Sequence, residues 1–149
     1  MLASSKGLDV STSLPQHPVR VEVDEHSFRR MLLILLDNAI KYTPAPGTVT
    51  VSLIVDESRV MISVSDTGPG IPADELPFIF DRFWRADQVR SRESGGTGLG
   101  LAIAREIAQN HGAEIGVQSS VGTGSRFTVS LRRSDEQPST VATSSEQSV

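Results

Sequence analysis

Short segments in which polar and apolar residues alternate come in pairs along this chain, and segments with helical periodicity separate the pairs. Alternation of this kind predicts β-strands, because successive side chains of a strand point to opposite faces of a sheet. The short turn 56–58 joins the middle pair, which predicts a hairpin. The strand segments are residues 8–14, 19–24, 48–55, 59–66, 113–120 and 125–132.

The helical segments lie between these strand pairs. Residues 25–43 predict a long helix, which Asp24 would cap at its N-terminus. Residues 73–80 predict a short helix, and residues 99–111 predict a second long helix that Gly112 stops. This order predicts the α/β (α+β) class: a two-layer sandwich in which a mixed sheet of about five strands is covered on one face by three helices.

The composition limits the kind of protein this can be. The chain has 149 residues, enough for one domain, and no cysteine, which rules out disulfides and thiolate metal sites. Its longest apolar run, Met31 to Leu36, is too short to span a bilayer, and a net charge of −4 argues against general nucleic-acid binding. We expect the domain to cover residues 7–132, with a linker at 1–6 and a disordered polar tail at 133–149.

A run of glycines leads directly into the second long helix. In GGTGLG, Gly96, Gly98 and Gly100 precede a helix whose first backbone N–H groups have no partner within the helix. Such groups bind anions, and glycine lets a phosphate approach them, so the segment predicts a phosphate cradle. No strand comes before it and no Gly-Lys-Ser/Thr follows, so it is neither a dinucleotide fingerprint nor a Walker A loop. A flexible hinge is the alternative interpretation.

Asp66 ends a predicted strand and is followed by Gly68 and Gly70 in the segment DTGPGIP. An ionised carboxylate only accepts hydrogen bonds, so Asp66 would bind the exocyclic amine of adenine and reject guanine, which has a carbonyl at that position. The two glycines would leave room for a flat base. The alternative interpretation is an Asx-type turn that ends the strand.

Asn38, Lys41 and Tyr42 share one face of the first long helix, in the segment LLDNAIKYTP. An amide oxygen, an ammonium group and an aromatic ring suit Mg²⁺, phosphate and a purine edge respectively. Mg²⁺ usually keeps several waters, so one protein ligand together with phosphate oxygens is sufficient. The alternative for Asn38 is a hydrogen bond to neighbouring backbone, although its apolar surroundings argue against that.

Together these segments resemble the nucleotide-binding domain of sensor histidine kinases, within the wider family of gyrase, Hsp90, histidine kinase and MutL ATPases. LLDNAIKYTP resembles the N box of that family, DTGPGIP its G1 box and FDRFWRAD its F box. GGTGLGLAIAREIAQNHG resembles the G2 box, and GTGSRF a final glycine box. The five motifs follow the family's order over roughly residues 7–132, and the resemblance implies its Bergerat-type nucleotide fold.

The resemblance also implies a role for each matching position. Asn38 would coordinate the Mg²⁺ of Mg-ATP, and Asp66 would bind the adenine amine. Lys41 would contact phosphate, and Tyr42 would lie near the base or ribose. The residues implied to bind ATP are Asn38, Lys41, Tyr42, Asp66, Gly68, Gly70, Ile71, Gly96, Thr97, Gly98, Leu99, Gly100 and Leu101.

Residues 81–97 would form a lid over ATP, as the resemblance implies. Arg82 and Arg85 in this lid would neutralise charge on the γ-phosphate, and they join Asn38 and Lys41 as candidate catalytic residues. The implied cofactors are therefore ATP and Mg²⁺.

One departure from the family pattern lies four residues before Asn38. Gyrase-like ATPases have a Glu at that position to activate water, and here the residue is Ile34. Because an apolar side chain cannot act as a general base, a gyrase-, Hsp90- or MutL-type hydrolase is disfavoured.

A second departure concerns the phosphoacceptor, which in this family is a His followed by Glu or Asp on a separate helical hairpin. His17, His26 and His111 are followed by Pro, Ser and Gly. We therefore expect a catalytic fragment whose partners are the phosphoacceptor and dimerisation helices of the full-length kinase and, downstream, a response regulator. It would be the cytoplasmic domain of a membrane-anchored sensor kinase.

Two other functions stay open at this point. A stand-alone serine kinase of the anti-sigma type uses the same nucleotide fold without a histidine hairpin. A nucleotide-gated interaction module would bind ATP without catalysis, since a fold by itself does not certify activity.

Overall fold

The computed structural model describes residues 7–82 and 99–134. Its strands form a single sheet in the order β1-β2-β3-β5-β4. β1 runs parallel to β2, and the remaining pairs are antiparallel, so the predicted mixed sheet is confirmed. The predicted hairpin is the β2–β3 pair. The strands are β1 (Leu8–Ser13), β2 (Gly47–Val55), β3 (Arg59–Asp66), β4 (Glu114–Ser120) and β5 (Gly124–Arg132).

Two α-helices, α1 (Glu25–Tyr42) and α2 (Gly100–Asn110), pack against each other and against the sheet. The prediction of three helices was wrong by one within the described part of the chain, because residues 73–80 contain only a 3-10 helix, Leu76–Phe78. Pro77 explains the difference: it has no backbone N–H to donate, and it disfavours helical backbone at the residue before it.

The strand predicted at residues 19–24 is also absent from the structure. The alternation there is real, since Val21 and Val23 are half-buried against the core while Arg20 and Glu22 are exposed. The N–H of Ser134, just after β5, donates to the Arg20 carbonyl at 2.9 Å, but residues 19–24 join no ladder, so their alternating side chains dock on the core outside the sheet. A strand needs a hydrogen-bonding neighbour as well as a pattern.

The core lies between the inner face of the sheet and the two helices. Met31 and Leu35 of α1 are almost fully buried, as are Val49 and Val129 of the sheet and Ala104 of α2. This layering follows from the apolar stripe of each helix facing the apolar face of the sheet.

Both predicted helix boundaries that depend on a cap are confirmed. The backbone N–H of Ser27 donates to Asp24 Oδ2 at 2.9 Å, which caps α1. Gly112 adopts a φ of +68° just after α2, the left-handed conformation that glycine supplies at helix ends.

Several predictions lie outside the described residues: the linker at 1–6, nearly all of the lid at 81–97, and most of the tail at 133–149. In the described part of the chain, no helix is both long and apolar enough to cross a membrane.

Candidate functional site

Asp66 lies at the end of β3 and is half-buried. The backbone N–H of Gly68 donates to its Oδ1 at 2.9 Å, and that of Ser125 donates to the same atom at 3.3 Å. No described residue donates to Oδ2. Among the described residues, the carboxylate is therefore held through one oxygen, and its other oxygen accepts from none of them.

Burial raises the pKa of the Asp66 carboxyl above 3.8, and the hydrogen bonds from Gly68 and Ser125 oppose that rise. Removing the charged form from water is thus the largest effect on this group. A half-buried carboxylate with a raised pKa, one of whose oxygens accepts from no described donor, is typical of a binding site.

The loop after Asp66 packs directly against the end of α1. A Cβ placed on Gly68 would lie 2.9 Å from the Tyr42 carbonyl oxygen and 3.0 Å from Asp66 Oδ1. Any side chain at this position would therefore force the loop away from the helix. This is a packing reason for glycine, and the predicted space for a base remains a prediction.

The start of α2 lies beside the middle of α1. A Cβ on Gly100 would lie 3.4 Å from Cγ2 of Ile34. Ile34, Asn38 and Tyr42 follow one another at four-residue spacing on α1, so they share one face and are about 6 Å apart along the axis. The helix therefore places half-buried Asn38 between the start of α2 and the loop of Asp66.

Lys41 and Tyr42 occupy the last turn of α1. Lys41 Nζ lies 3.4 Å from Asp37 Oδ2, and both side chains are substantially exposed. Tyr42 is half-buried. An exposed ion pair of this spacing is weak, and the phosphate contact of Lys41 remains a prediction.

The helix α2 starts without a side-chain cap. Leu99 is its N-cap residue, and the Leu99 carbonyl accepts the N–H of Ile103 at 2.9 Å. Within the described residues, the first N–H groups after Leu99 therefore donate to no capping side chain, which suits an incoming anion. Leu101 is buried in the core, where it fixes the helix rather than facing solvent.

The far side of the loop is anchored on the β4–β5 hairpin. The N–H of Ile71 donates to Ser119 Oγ at 2.7 Å, and Gly122 N–H donates to the Pro69 carbonyl at 2.8 Å. Gly70 has a φ of +80°, and a Cβ there would overlap the Ser120 carbonyl.

Sequence reasoning missed the two serines that act here, Ser119 and Ser125. The segment GTGSRF was recognised as a glycine box, but nothing local shows that Ser125 contacts Asp66 across 59 positions of chain. No local pattern in the sequence indicated these contacts.

The remaining predicted site residues lie at or beyond the edge of the described part of the chain. Arg82 is exposed at the last described position before the gap. Arg85, Gly96, Thr97 and Gly98 lie outside the described residues.

The fold and the arrangement of residues around Asp66 agree with a known protein family. The model of the family described as Histidine kinase-, DNA gyrase B-, and HSP90-like ATPase matches residues 23–135. The chain belongs to this family.

Curated relatives within this ATPase family are sensor histidine kinases. Sensor histidine kinase YkoH of Bacillus subtilis is 43% identical over 121 residues, which cover 81% of this chain and 26% of that protein. Sensor histidine kinase WalK of the same organism is 43% identical over 127 residues, covering 84% of this chain and 21% of that protein. The chain thus spans about a fifth to a quarter of the length of these relatives.

Solved structures of histidine kinases have the same fold. Mycobacterial sensor histidine kinase MprB matches with a TM-score of 0.76 at 28% identity, over 89% of this chain and 88% of that one. Full-length ShkA in complex with AMPPNP matches with a TM-score of 0.76 at 31% identity, over 92% of this chain and 28% of that one. The predictions of a histidine kinase catalytic domain and of its α/β fold are confirmed.

Proposed function

We propose that this domain binds Mg-ATP and donates the γ-phosphoryl group to a histidine on a separate dimerisation and phosphoacceptor domain. The observation that carries the proposal is the Asp66 carboxylate, which is held at Oδ1 and has no described donor at Oδ2. The loop after Asp66 packs at Gly68 against the carbonyl of Tyr42, one helical turn beyond Asn38, and the start of α2 lies beside Ile34, one turn before Asn38.

The adenine end of the site follows from the chemistry of Asp66. Its Oδ2, which has no donor among the described residues, accepts the exocyclic amine of adenine, whereas the carbonyl of guanine would meet another acceptor. Tyr42 and Ile71 are both half-buried next to this loop, and their apolar surfaces suit the faces of a flat base.

The phosphate end lies toward Asn38, Lys41 and the first turn of α2. The uncapped N–H groups after Leu99 donate to phosphate oxygens, and Lys41 adds positive charge. The amide oxygen of Asn38 is a ligand of the type that Mg²⁺ accepts, and bound Mg²⁺ would supply charge neutralisation on the phosphates. In the described residues no group of three His, Asp or Glu forms a metal site, so the remaining ligands would be phosphate oxygens and water.

The transfer step needs positioning and electrostatics more than covalent chemistry from this domain. An imidazole nitrogen of the acceptor histidine forms a bond to the γ-phosphorus as the bond to the β–γ bridging oxygen breaks. ADP leaves with that oxygen, and the phosphorylated ring loses the proton on its second nitrogen to solvent or a neighbouring base. The lid arginines Arg82 and Arg85 would neutralise the charge that develops on the transferred group.

The names of the relatives support this assignment. YkoH and WalK are sensor histidine kinases, and the ShkA structure contains AMPPNP, an ATP analogue. By extension we propose that this domain acts within a longer kinase, on the cytoplasmic side where ATP is available, and that a response regulator takes the phosphoryl group next.

Titration calorimetry of the 149-residue chain with Mg-ATP tests the proposal. Asp66→Asn should weaken binding by about 1–3 kcal/mol, because an amide NH₂ would face the adenine amine. Asp9→Asn, on an exposed part of β1, is the matched control and should bind as the wild type does. No heat of binding from the wild type would overturn the proposed function, and equal affinity of Asp66→Asn and wild type would overturn the adenine assignment.

A further inference from the structure

Ser119 lies at the end of β4, directly opposite Ser125 of β5, and is half-buried. Its hydroxyl oxygen accepts the N–H of Ile71 at 2.7 Å and donates to the Gly124 carbonyl at 2.9 Å. It also lies 2.9 Å from Ser125 Oγ. One hydroxyl therefore joins the loop after Asp66 to both strands of the β4–β5 hairpin.

The number of protons sets the direction of these bonds. A serine hydroxyl has one proton and two lone pairs. Because the proton of Ser119 goes to the Gly124 carbonyl, the bond between the two serines must be donated by Ser125. Every donor and acceptor of the Ser119 hydroxyl is then used, and the orientation of the Ser125 side chain is determined as well.

The network ends on the carboxylate of the proposed adenine site. The backbone N–H of Ser125 donates to Asp66 Oδ1, the oxygen that Gly68 also holds. Ser119 thus restrains two segments at once: Ser125, which contacts Asp66 directly, and Ile71, where the loop after Asp66 ends.

We propose that Ser119 is a positioning residue that orients Asp66 for recognition of the adenine amine, an inference that rests on the proposed function. It does not contact the base. Its hydroxyl holds the Asp66 loop and the Ser125 backbone in register, so that Oδ1 stays occupied and Oδ2 stays directed at the ligand. Without the hydroxyl, the half-buried N–H of Ile71 loses its acceptor and the loop can move away from the hairpin.

The neighbouring Ser120 offers a matched control. It is the same residue type one position further along β4, so its side chain points to the opposite face of the sheet, and it is exposed. Within the described residues its hydroxyl takes part in no hydrogen bond. Removing either hydroxyl is the same chemical change in two different surroundings.

The experiment compares Mg-ATP with the Mg complex of purine riboside triphosphate, which lacks the exocyclic amine, by calorimetry on the full chain. In Ser119→Ala the Kd for Mg-ATP should rise roughly three- to tenfold, and the preference for ATP over the analogue should narrow by a similar factor. Ser120→Ala should change both values by less than about twofold. Ser119→Thr keeps the hydroxyl and should restore the preference.

The preference for ATP separates positioning from a general loss of structure, which would weaken both nucleotides equally. An unchanged preference for Mg-ATP over the analogue in Ser119→Ala would overturn the inference about Ser119. The proposed function would still stand in that case, provided that the wild type binds Mg-ATP. If Ser119→Ala does not fold, Ser125→Ala replaces it, because it removes only the hydroxyl that donates to Ser119. A folded Ser125→Ala with the preference of the wild type would likewise overturn the inference.

Discussion

At the scale of single residues, two opposing effects act on the protonation of the Asp66 carboxyl group. Burial favours its protonated form, and the hydrogen bonds to Oδ1 favour its charged form; burial is the larger effect, and the pKa is raised. A group in this condition does not serve stability at neutral pH. Its placement is explained by what its charged form can bind.

The raised pKa of Asp66 predicts how Asp66→Asn changes the stability of the fold. Because the folded pKa of Asp66 lies above its unfolded value near 3.8, the carboxyl stabilises the fold fully only below that value. The stabilisation is lost as the pH rises through the raised pKa. Urea denaturation at neutral pH should therefore show Asp66→Asn to be at least as stable as the wild type, although it binds ATP more weakly.

The stability advantage of Asp66→Asn should shrink as the pH falls toward 3.8, where the wild-type carboxyl becomes protonated. Asp56 provides the opposite case, because hydrogen bonds from the N–H groups of Ser58 and Arg59 lower its pKa. Asp56→Asn should lose stability at neutral pH. A marked loss of stability in Asp66→Asn under the same conditions would contradict the role assigned to burial.

At the scale of secondary-structure elements, the β4–β5 hairpin supports the site more than its sequence suggests. Gly124 has a φ of +131°, and a Cβ there would overlap the Asp66 carbonyl oxygen. Gly122, in the same turn, has a φ of +88° but nothing within 4 Å of a Cβ. The two glycines therefore separate the cost of a left-handed backbone from the cost of steric overlap.

Alanine at each position should show this difference in free energy of unfolding. Gly122→Ala should lose about 1–2 kcal/mol through its backbone conformation alone. Gly124→Ala should lose about 1–3 kcal/mol beyond that, because the strand carrying Asp66 must shift. Gly116→Ala, at a site in β4 with open space and an ordinary φ, is the control and should lose nothing. Equal losses at positions 122 and 124 would show that the close contact with Asp66 is relieved easily.

At the scale of the whole molecule, the sandwich brings together segments that are far apart in the chain. The start of α2, the middle of α1 and the end of β3 meet on one side of the sheet because both helices pack on the same face. The proposed nucleotide site would therefore need the complete domain. The acceptor histidine, by contrast, is expected on another domain, since none of His17, His26 and His111 is followed by Glu or Asp.

The chain alone should therefore bind Mg-ATP without labelling itself. Incubation with ATP labelled on the γ-phosphate should give no phosphoprotein until a helical domain with a His-Glu or His-Asp pair is added. The phosphate on that domain should be acid-labile, as expected for phosphohistidine. Acid-stable phosphate on a partner would instead indicate a serine kinase, and steady hydrolysis of ATP by the chain alone would indicate a gyrase-like ATPase despite Ile34.

The sequence by itself determined most of the elements and the residue types of the site. Periodicity placed β3 at residues 59–66, and the capping residues Asp24 and Gly112 placed the start of α1 and the end of α2. These signals come from side chains a few residues apart. For the same reason the segments with Asn38, Asp66 and Gly100 could be predicted as ligand-binding from the sequence, and those site assignments remain predictions.

Only the tertiary structure decided which groups hold these segments together. Residues 19–24 have the pattern of a strand but join no ladder, so their local signal could not predict the outcome. The bonds of Ser119 to Ile71 and of Ser125 to Asp66 join residues 48 and 59 positions apart. Contacts of that range exist only once the sheet and helices have packed, which no local pattern of side chains encodes.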